Sequence, residues 1–118
     1  MANKITLNGS LIWSDGVQTL KVSVSDAKDQ EGVNALYNLQ NIGTSAEAIV
    51  LGDVVPGYIA FKNLDVTNFV IIGNDNAVAT VVAKLLPGQG VILPTSNATW
   101  YAKADTAECV LLVFGVDK

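Results

Sequence analysis

Residues 57–73 read Gly57-Tyr-Ile-Ala-Phe-Lys-Asn-Leu-Asp-Val-Thr-Asn-Phe-Val-Ile-Ile-Gly73, a pattern typical of two strands joined by a turn. Ile59 and Phe61 share one side of the first strand, because successive side chains of a strand point to opposite faces. Residues 63–68 are rich in Asn and Asp, which reverse the chain by hydrogen-bonding the nearby backbone. We therefore predict a β-hairpin over residues 57–73, at the centre of a β-fold.

The same pattern of short alternating segments and turns continues on both sides of residues 57–73. Asp15-Gly16 marks one reversal, and Pro87-Gly88 fits a type II turn because Pro fixes φ and Gly supplies a positive φ. The chain holds about eight or nine short strands, with turn signals roughly every eight to twelve residues. We predict an all-β protein over residues 1–118, a single-domain antiparallel β-sandwich of jelly-roll type.

The first thirty residues predict strands followed by a polar loop. Residues 5–14 are either a strand pair that turns at Asn8-Gly9 or one bent strand. Residues 26–32 contain five charged or amide side chains and predict a solvated loop. Between them lies the clearest half-exposed strand of the chain, whose apolar side consists of Leu20, Val22 and Val24.

Two segments are compatible with either helix or strand. Residues 33–42 have apolar side chains at both spacings, and we favour a strand there. Residues 46–52 follow Ser45, which could cap one helical turn, although a short strand fits equally well. Because a βαβ fold needs several crossover helices, neither segment changes the predicted all-β class.

The last strand, residues 109–116, is apolar on both of its sides. Such a strand lies at the centre of a sandwich, or its outer side meets another subunit. Cys109 is the only cysteine, and its apolar neighbours favour a packed small side chain over a reactive thiol. Half of the residues are apolar and only 15% are charged, which further indicates that some apolar surface lies in subunit contacts.

Composition excludes several classes of function. The net charge is −4, all seven basic residues are scattered lysines, and no stripe exists that could neutralise a nucleic-acid backbone. No apolar run approaches the roughly 18 residues of a membrane span, and the first residues lack the features of a secretory signal. We therefore expect folding in a cytoplasm, with no nucleic-acid and no membrane partner.

The sequence contains few residues suited to catalysis or metal binding. The sequence contains no His, which excludes a Ser-His-Asp triad and a His metal site, and one Cys is too few for a zinc thiolate site. Asn74-Asp75-Asn76 could offer oxygens to Ca²⁺, but such a cluster is more typical of a turn. We predict no enzymatic activity, no cofactor and no metal site.

Four aromatic residues leave two interpretations open. Trp13, Trp100, Tyr58 and Tyr101 could form a platform on which sugar rings stack. Alternatively, both tryptophans pack in the core while the tyrosines are partly exposed or lie at subunit contacts, and we favour this second interpretation.

Five segments together resemble small virion proteins of tailed bacteriophages, and the likeness covers residues 40–116. The segments are Ile42-Gly-Thr-Ser-Ala-Glu-Ala48, Leu51-Gly-Asp-Val54, Gly57-Tyr-Ile-Ala-Phe-Lys-Asn-Leu-Asp65, Leu86-Pro-Gly-Gln-Gly90 and Ala102-Lys-Ala-Asp-Thr-Ala107. Some similar small β-domains act as cement or decoration subunits on the capsid. The resemblance thus implies a structural protein, and no matched segment is a catalytic motif.

The expected function is therefore a non-enzymatic capsid decoration subunit that forms a homotrimer and binds the phage major capsid protein at the virion surface. A tail or baseplate subunit and a carbohydrate-binding β-sandwich that recognises a host glycan are the alternatives. We predict that Tyr58, Tyr101, Leu111 and Val113 contact neighbouring subunits, because their strands carry apolar groups on both sides.

Overall fold

The structure, a computed structural model, describes residues 3–118. These residues form ten β-strands and no helix, which confirms the predicted all-β class. The strands are β1 (Lys4–Ser14), β2 (Thr19–Asp29), β3 (Ala35–Ile42), β4 (Glu47–Ala48), β5 (Pro56–Asn63), β6 (Val70–Gly73), β7 (Val81–Leu85), β8 (Gly90–Pro94), β9 (Tyr101–Ala104) and β10 (Cys109–Asp117). Both ambiguous segments, residues 33–42 and 46–52, contain strands, as β3 and β4.

The described residues group into two compact units, 3–33 and 34–118. The first unit is one long antiparallel hairpin of β1 and β2. It turns at Asp15-Gly16 as predicted, with Gly16 at φ +90° and the Asp15 N–H donating to the Gln18 carbonyl at 3.2 Å. The prediction of one domain over residues 1–118 stays a prediction, since the sandwich-forming sheets come from the second unit.

The hairpin strands differ in length from the sequence prediction. β1 continues through Asn8-Gly9 without a turn, so the single-strand alternative is the correct one. β2 runs on to Asp29, so the predicted loop over residues 26–32 is wrong for residues 26–29. The reason is cross-strand pairing: this polar segment lies opposite β1, and Asp29 forms an ion pair with Lys4.

The second unit consists of two four-stranded antiparallel sheets, with strand orders β3-β10-β5-β8 and β4-β9-β6-β7. The pairing is nested: β3 pairs with β10, β4 with β9, β5 with β8 and β6 with β7. Both sheets contribute side chains to one hydrophobic core, including Ile59, Phe61, Val70, Ile72 and Leu111. The core therefore lies between the two sheets, in a β-sandwich-like arrangement.

The predicted hairpin over residues 57–73 is wrong, because its two strands belong to different sheets. The Asn- and Asp-rich segment does reverse the chain, but the reversal carries it from one sheet to the other. Asn63 is fully buried there; its Nδ2 donates to the Asn68 carbonyl at 2.9 Å and the Leu85 carbonyl at 3.0 Å, while its Oδ1 accepts from the Asp65 N–H at 2.9 Å. One side chain thus connects β5, the crossover and β7.

β10 is an interior strand between β3 and β5, which explains why it is apolar on both sides. Cys109, Leu111 and Val113 face the core and have no exposed surface. The prediction that Cys109 is a packed side chain is confirmed, and burial raises the pKa of its thiol. The side chains that alternate with these three point away from the core.

Turn chemistry follows the sequence prediction at two further points. Gly88 has φ +82°, and the Gln89 N–H donates to the Leu86 carbonyl at 2.9 Å, as a Pro-Gly turn requires. Asp75 holds the turn after β6: its Oδ1 accepts from the Ala79 N–H at 2.9 Å, and its Oδ2 accepts from the Thr80 N–H at 3.1 Å. These bonds lower the pKa of Asp75 below its usual 3.8.

The lowered pKa of Asp75 predicts a pH-dependent effect of Asp75→Asn. A carboxyl whose pKa is lower in the folded state stabilises the protein above its unfolded pKa, and this stability is lost as pH falls through the folded value. We expect the variant to melt below the wild type at neutral pH, and the difference to shrink as pH falls below 3.8 because the wild-type carboxylate is then progressively protonated. Thermal denaturation followed by circular dichroism over this range measures the difference.

The neighbouring Asn76→Ser serves as the control, since it alters the same turn without removing a carboxylate. We expect its melting difference to be the same at all these pH values. A difference for Asp75→Asn that is equally independent of pH would contradict the assignment.

Candidate interaction surfaces

The sheet β3-β10-β5-β8 has one face in the core and one that points outward, named here the outer sheet face. Cross-strand register places its residues in rows, because directly paired residues lie on the same side of a sheet. They are Ala35, Tyr37, Leu39 and Asn41 of β3, Val110, Leu112, Phe114 and Val116 of β10, Tyr58, Ala60 and Lys62 of β5, and Gly90, Ile92 and Pro94 of β8.

The outer sheet face is apolar apart from Asn41, Lys62 and the tyrosine hydroxyls. Tyr37 and Phe114 form an edge-to-face aromatic pair with ring centroids 5.4 Å apart, and Tyr37 is 67% exposed. An antiparallel sheet with one solvated face normally alternates apolar inward and polar outward side chains. This face departs from that rule, and a large exposed apolar patch marks an interaction surface.

The opposite outer face of the sandwich, on sheet β4-β9-β6-β7, has a different character. Its outward side chains include Lys84 and Lys103, which flank Ile71 in the paired strands. The Lys84 ammonium lies 4.2 Å from the centre of the Phe69 ring, a cation–π contact that covers part of the apolar surface. Charged side chains are depleted at the centres of protein interfaces, so the outer sheet face is the stronger candidate.

The hairpin carries a second exposed apolar surface. Register places ten residues on one side of the two strands, with Ile5, Gly9, Asp26 and Lys28 among them. The other six are apolar, and we name them the apolar hairpin face: Leu7, Leu11, Trp13, Leu20, Val22 and Val24. The other side is mostly polar, with Ser10 opposite Ser23 and Asn8 opposite Ser25. The hairpin is therefore amphipathic with a period of two.

The apolar hairpin face is largely uncovered. Leu11 is 76% exposed and Trp13 is 52% exposed. The prediction that Trp13 packs in the core is wrong, because β1 pairs with β2 alone and this unit has no second sheet. A two-stranded hairpin is marginally stable by itself, so an apolar face of this kind favours a covering partner.

The other tryptophan behaves as predicted. Trp100 is buried, with its ring centroid 5.8 Å from that of Phe61, and its Nε1 donates to the Asn97 carbonyl at 3.2 Å. It is therefore part of the core and cannot form an exposed platform for sugar rings.

The four predicted contact residues occupy different places. Tyr58 lies on the outer sheet face and Tyr101 on the opposite side of the sandwich, both partly exposed, and their role in subunit contacts stays a prediction. Leu111 and Val113 have no exposed surface and pack in the core. A side chain without accessible surface offers none to a partner, whereas Leu112 and Phe114 of the same strand point outward.

Sequence reasoning missed Tyr37, Leu39 and Ile92 as surface residues. β3 alternates Leu36 with Tyr37, so its apolar residues occur on both sides and the pattern does not reveal which side is inward. In β3, Asn38 and Gln40 alternate with Tyr37, Leu39 and Asn41. This alternation separates the two sides of the strand, but it does not say which side faces the core, because polar residues on an edge strand can point either way.

Comparisons with protein-family models, with curated proteins and with solved structures returned no match. Among residues 3–118 no group of three or more His, Cys, Asp or Glu side chains is placed to hold a metal ion. The same residues contain no helix long and apolar enough to cross a membrane.

Proposed function

We propose that this chain is a non-enzymatic structural subunit of a tailed-bacteriophage virion. In this role it decorates the capsid surface, associates with its own copies as a homotrimer and binds the major capsid protein. The observation that carries the proposal is the outer sheet face, an exposed apolar surface spanning four strands. The resemblance of residues 40–116 to small phage virion proteins supplies the class of partner.

The nested strand pairing supports a jelly roll for residues 34–118. A jelly roll is an eight-stranded chain folded as one long double ribbon and rolled into two sheets, so that the first strand pairs with the last and each inner pair follows in order. The strands β3 to β10 have these four pairings. Viral capsid domains and lectins are among the proteins with this fold.

The chemistry of the outer sheet face fits contact between protein subunits. Interface centres are enriched in aromatic residues and depleted in charged ones, and this face has the Tyr37–Phe114 pair and one lysine, Lys62. A net charge of −4 also disfavours competition for the packaged DNA. Neither property requires a catalytic residue or a cofactor.

The proposal is tested by binding to purified phage particles. Purified protein is mixed with expanded capsids that lack it, with unexpanded proheads and with isolated tails, and co-sedimentation measures the bound fraction. We expect saturable binding to expanded capsids alone. Binding to tails would favour the tail or baseplate alternative, and no binding to any particle would contradict a virion role.

Glycan recognition is the second candidate, and the exposed aromatic rings of Trp13 and Tyr37 favour it. Sugar-binding proteins stack sugar rings on such side chains, and lectins are among the jelly rolls. A glycan array probed with the wild type and with Tyr37→Ala tests this candidate. Specific binding that the variant loses while its melting temperature is unchanged would support glycan recognition over decoration.

A further inference from the structure

We propose that β1 of one copy pairs with β1 of a second copy, antiparallel and about a twofold axis at Gly9. The two hairpins then form one continuous four-stranded sheet, in the order β2-β1-β1-β2. The contact uses the open edge of the hairpin, and neither apolar face takes part in it. The inference goes beyond the proposed function, because it requires neither the homotrimer nor the capsid.

β1 is an edge strand, because it has a neighbouring strand on one side only. At the two ends of the hairpin ladder, the Gln30 N–H donates to the Asn3 carbonyl at 2.8 Å and the Asp15 N–H donates to the Gln18 carbonyl at 3.2 Å. Odd-numbered positions of the first strand therefore direct their backbone groups at β2, and the direction alternates along a strand. The open edge has the N–H and C=O groups of the even-numbered residues, Lys4, Thr6, Asn8, Ser10, Ile12 and Ser14.

Other strand edges within residues 3–118 carry features that disfavour pairing with another chain. Gln40 of β3 donates to the Val50 carbonyl at 2.7 Å and accepts from the Val50 N–H at 3.0 Å, so this edge is partly occupied. β4, β7 and β8 have at most five residues, and β8 ends at Pro94. β1 has eleven residues, no register shift, no proline and no charge after Lys4. An edge without such protection is a template for another strand.

The sequence of β1 is matched to its own reverse. Only one antiparallel register pairs all eleven residues of the two copies, and it sets Gly9 opposite Gly9. Apolar side chains then meet apolar ones on one side of the sheet, and no charge meets an apolar side chain on the other. The pairs are Ile5–Trp13 and Leu7–Leu11 on the first side, and Asn8–Ser10, Thr6–Ile12 and Lys4–Ser14 on the second.

The same operation on β2 gives a poor match. Its full-length register is centred on Val24, and it sets Asp26 opposite Val22 and Lys28 opposite Leu20. A charged side chain held against an apolar one loses water without gaining a partner. The chemistry therefore favours pairing of β1 with β1 and disfavours pairing through the other edge of the hairpin.

Backbone hydrogen bonds hold this contact together. Six residues of each β1 direct an N–H and a C=O at the open edge, so the paired strands exchange up to twelve bonds. A typical interface has about ten direct hydrogen bonds, and strand addition derives its affinity from such main-chain bonds. A two-stranded hairpin is marginally stable by itself, whereas a sheet of four strands is not. Each copy uses its edge once, so the contact closes as a dimer of hairpins.

Single cysteines in β1 test the register. Gly9→Cys places two thiols at the axis, in a pair whose Cα atoms lie about 4.5 Å apart, which suits a disulfide. Ser10→Cys is the matched control, because its two Cα atoms would lie about 8 Å apart, too far for a disulfide. We expect copper-catalysed air oxidation to cross-link Gly9→Cys at least about tenfold faster, as seen on non-reducing gels. The wild type, whose Cys109 is buried, gives the background.

A proline on the open edge tests the backbone bonds. Ser10→Pro removes an N–H that points away from β2, so the hairpin ladder keeps its bonds. We expect it to weaken the twofold contact at least about tenfold in sedimentation equilibrium, because each pair of copies loses two backbone hydrogen bonds. Ser23→Pro is the control: Ser23 lies directly opposite Ser10, on the other edge, and association should be unchanged. Circular dichroism should show the wild-type spectrum for both variants.

Four results would overturn the proposal. They are no cross-link of Gly9→Cys, equal cross-linking of Gly9→Cys and Ser10→Cys, unchanged association of Ser10→Pro, and an equal loss of association in Ser23→Pro. The species that Ser10→Pro leaves reports separately on the proposed function. It contains three chains if the homotrimer forms through another surface, and one chain if it does not.

Discussion

Replacing Asn63 with Asp is expected to lower the free energy of unfolding by about 3–5 kcal/mol at neutral pH. The Asn63 side chain is fully buried, and its Nδ2 donates to the carbonyl oxygens of Asn68 and Leu85. A carboxylate at this position would direct a negative oxygen at both carbonyls and would lose both donors. Urea denaturation followed by fluorescence or circular dichroism measures the loss.

The destabilisation caused by Asn63→Asp should be smaller at low pH than at neutral pH. Burial and the facing carbonyl dipoles raise the pKa of the introduced carboxyl in the folded state. The folded variant then binds a proton more readily than the unfolded chain, so the deficit relative to the wild type shrinks as pH falls below the raised pKa. Protonation also restores one O–H donor to the site.

Asn63→Ala is the control, because it removes the same hydrogen bonds without introducing a charge. It should be destabilising by about 2–4 kcal/mol, since buried carbonyl and N–H groups lose their partner, and this loss should not vary with pH. An Asn63→Asp chain as stable as the wild type would show that this side chain does not connect the crossover to β7.

We expect Leu111→Ala to lower the stability of the fold and Leu112→Ala to weaken assembly. Leu111 has no exposed surface in the core, so its truncation should cost about 2–5 kcal/mol, a large share of the 5–15 kcal/mol that typically stabilises a domain. Leu112 lies on the outer sheet face, so its truncation should cost about 1 kcal/mol or less and should instead weaken association. Denaturant titration measures the first effect and sedimentation equilibrium the second.

The sequence prediction assigned subunit contacts to Leu111 and Val113, and this pair of substitutions tests the reassignment. Val113→Ala should resemble Leu111→Ala because it has the same orientation. If Leu112→Ala unfolds the protein more easily than Leu111→Ala does, the inward and outward sides of β10 are the reverse of those described.

Local chemistry explains which parts of the fold were predictable from sequence. Alternation of side chains predicted strands such as β2 and β5, and Asp75 and Gly88 predicted turns, because these signals act over a few residues. The partner of a strand is set by contacts distant in sequence. The turn residues after Asn63 are compatible both with a hairpin and with a crossover between sheets, and only the pairing of β5 with β10 and β8 decides between them.

The candidate surfaces were predictable only in part. The amphipathic pattern of Leu20, Val22 and Val24 was visible, but whether a second layer covers that side depends on the rest of the fold. The same holds for β10, where both sides are apolar and the inward side follows from the register with β3 and β5. Apolar content indicated interaction, and the structure was needed to say which side chains remain exposed.

Side-chain footprinting of the assembled protein tests the central claim most directly, namely that protein covers both apolar faces in the working state. Hydroxyl-radical labelling, read by mass spectrometry, compares the dilute protein with the concentrated or capsid-bound protein. We predict that Trp13, Tyr37 and Phe114 become protected on assembly, while Val66, which is 90% exposed on the crossover between β5 and β6, labels equally in both states. Equal labelling of Trp13, Tyr37 and Phe114 in the dilute and assembled protein would contradict the account.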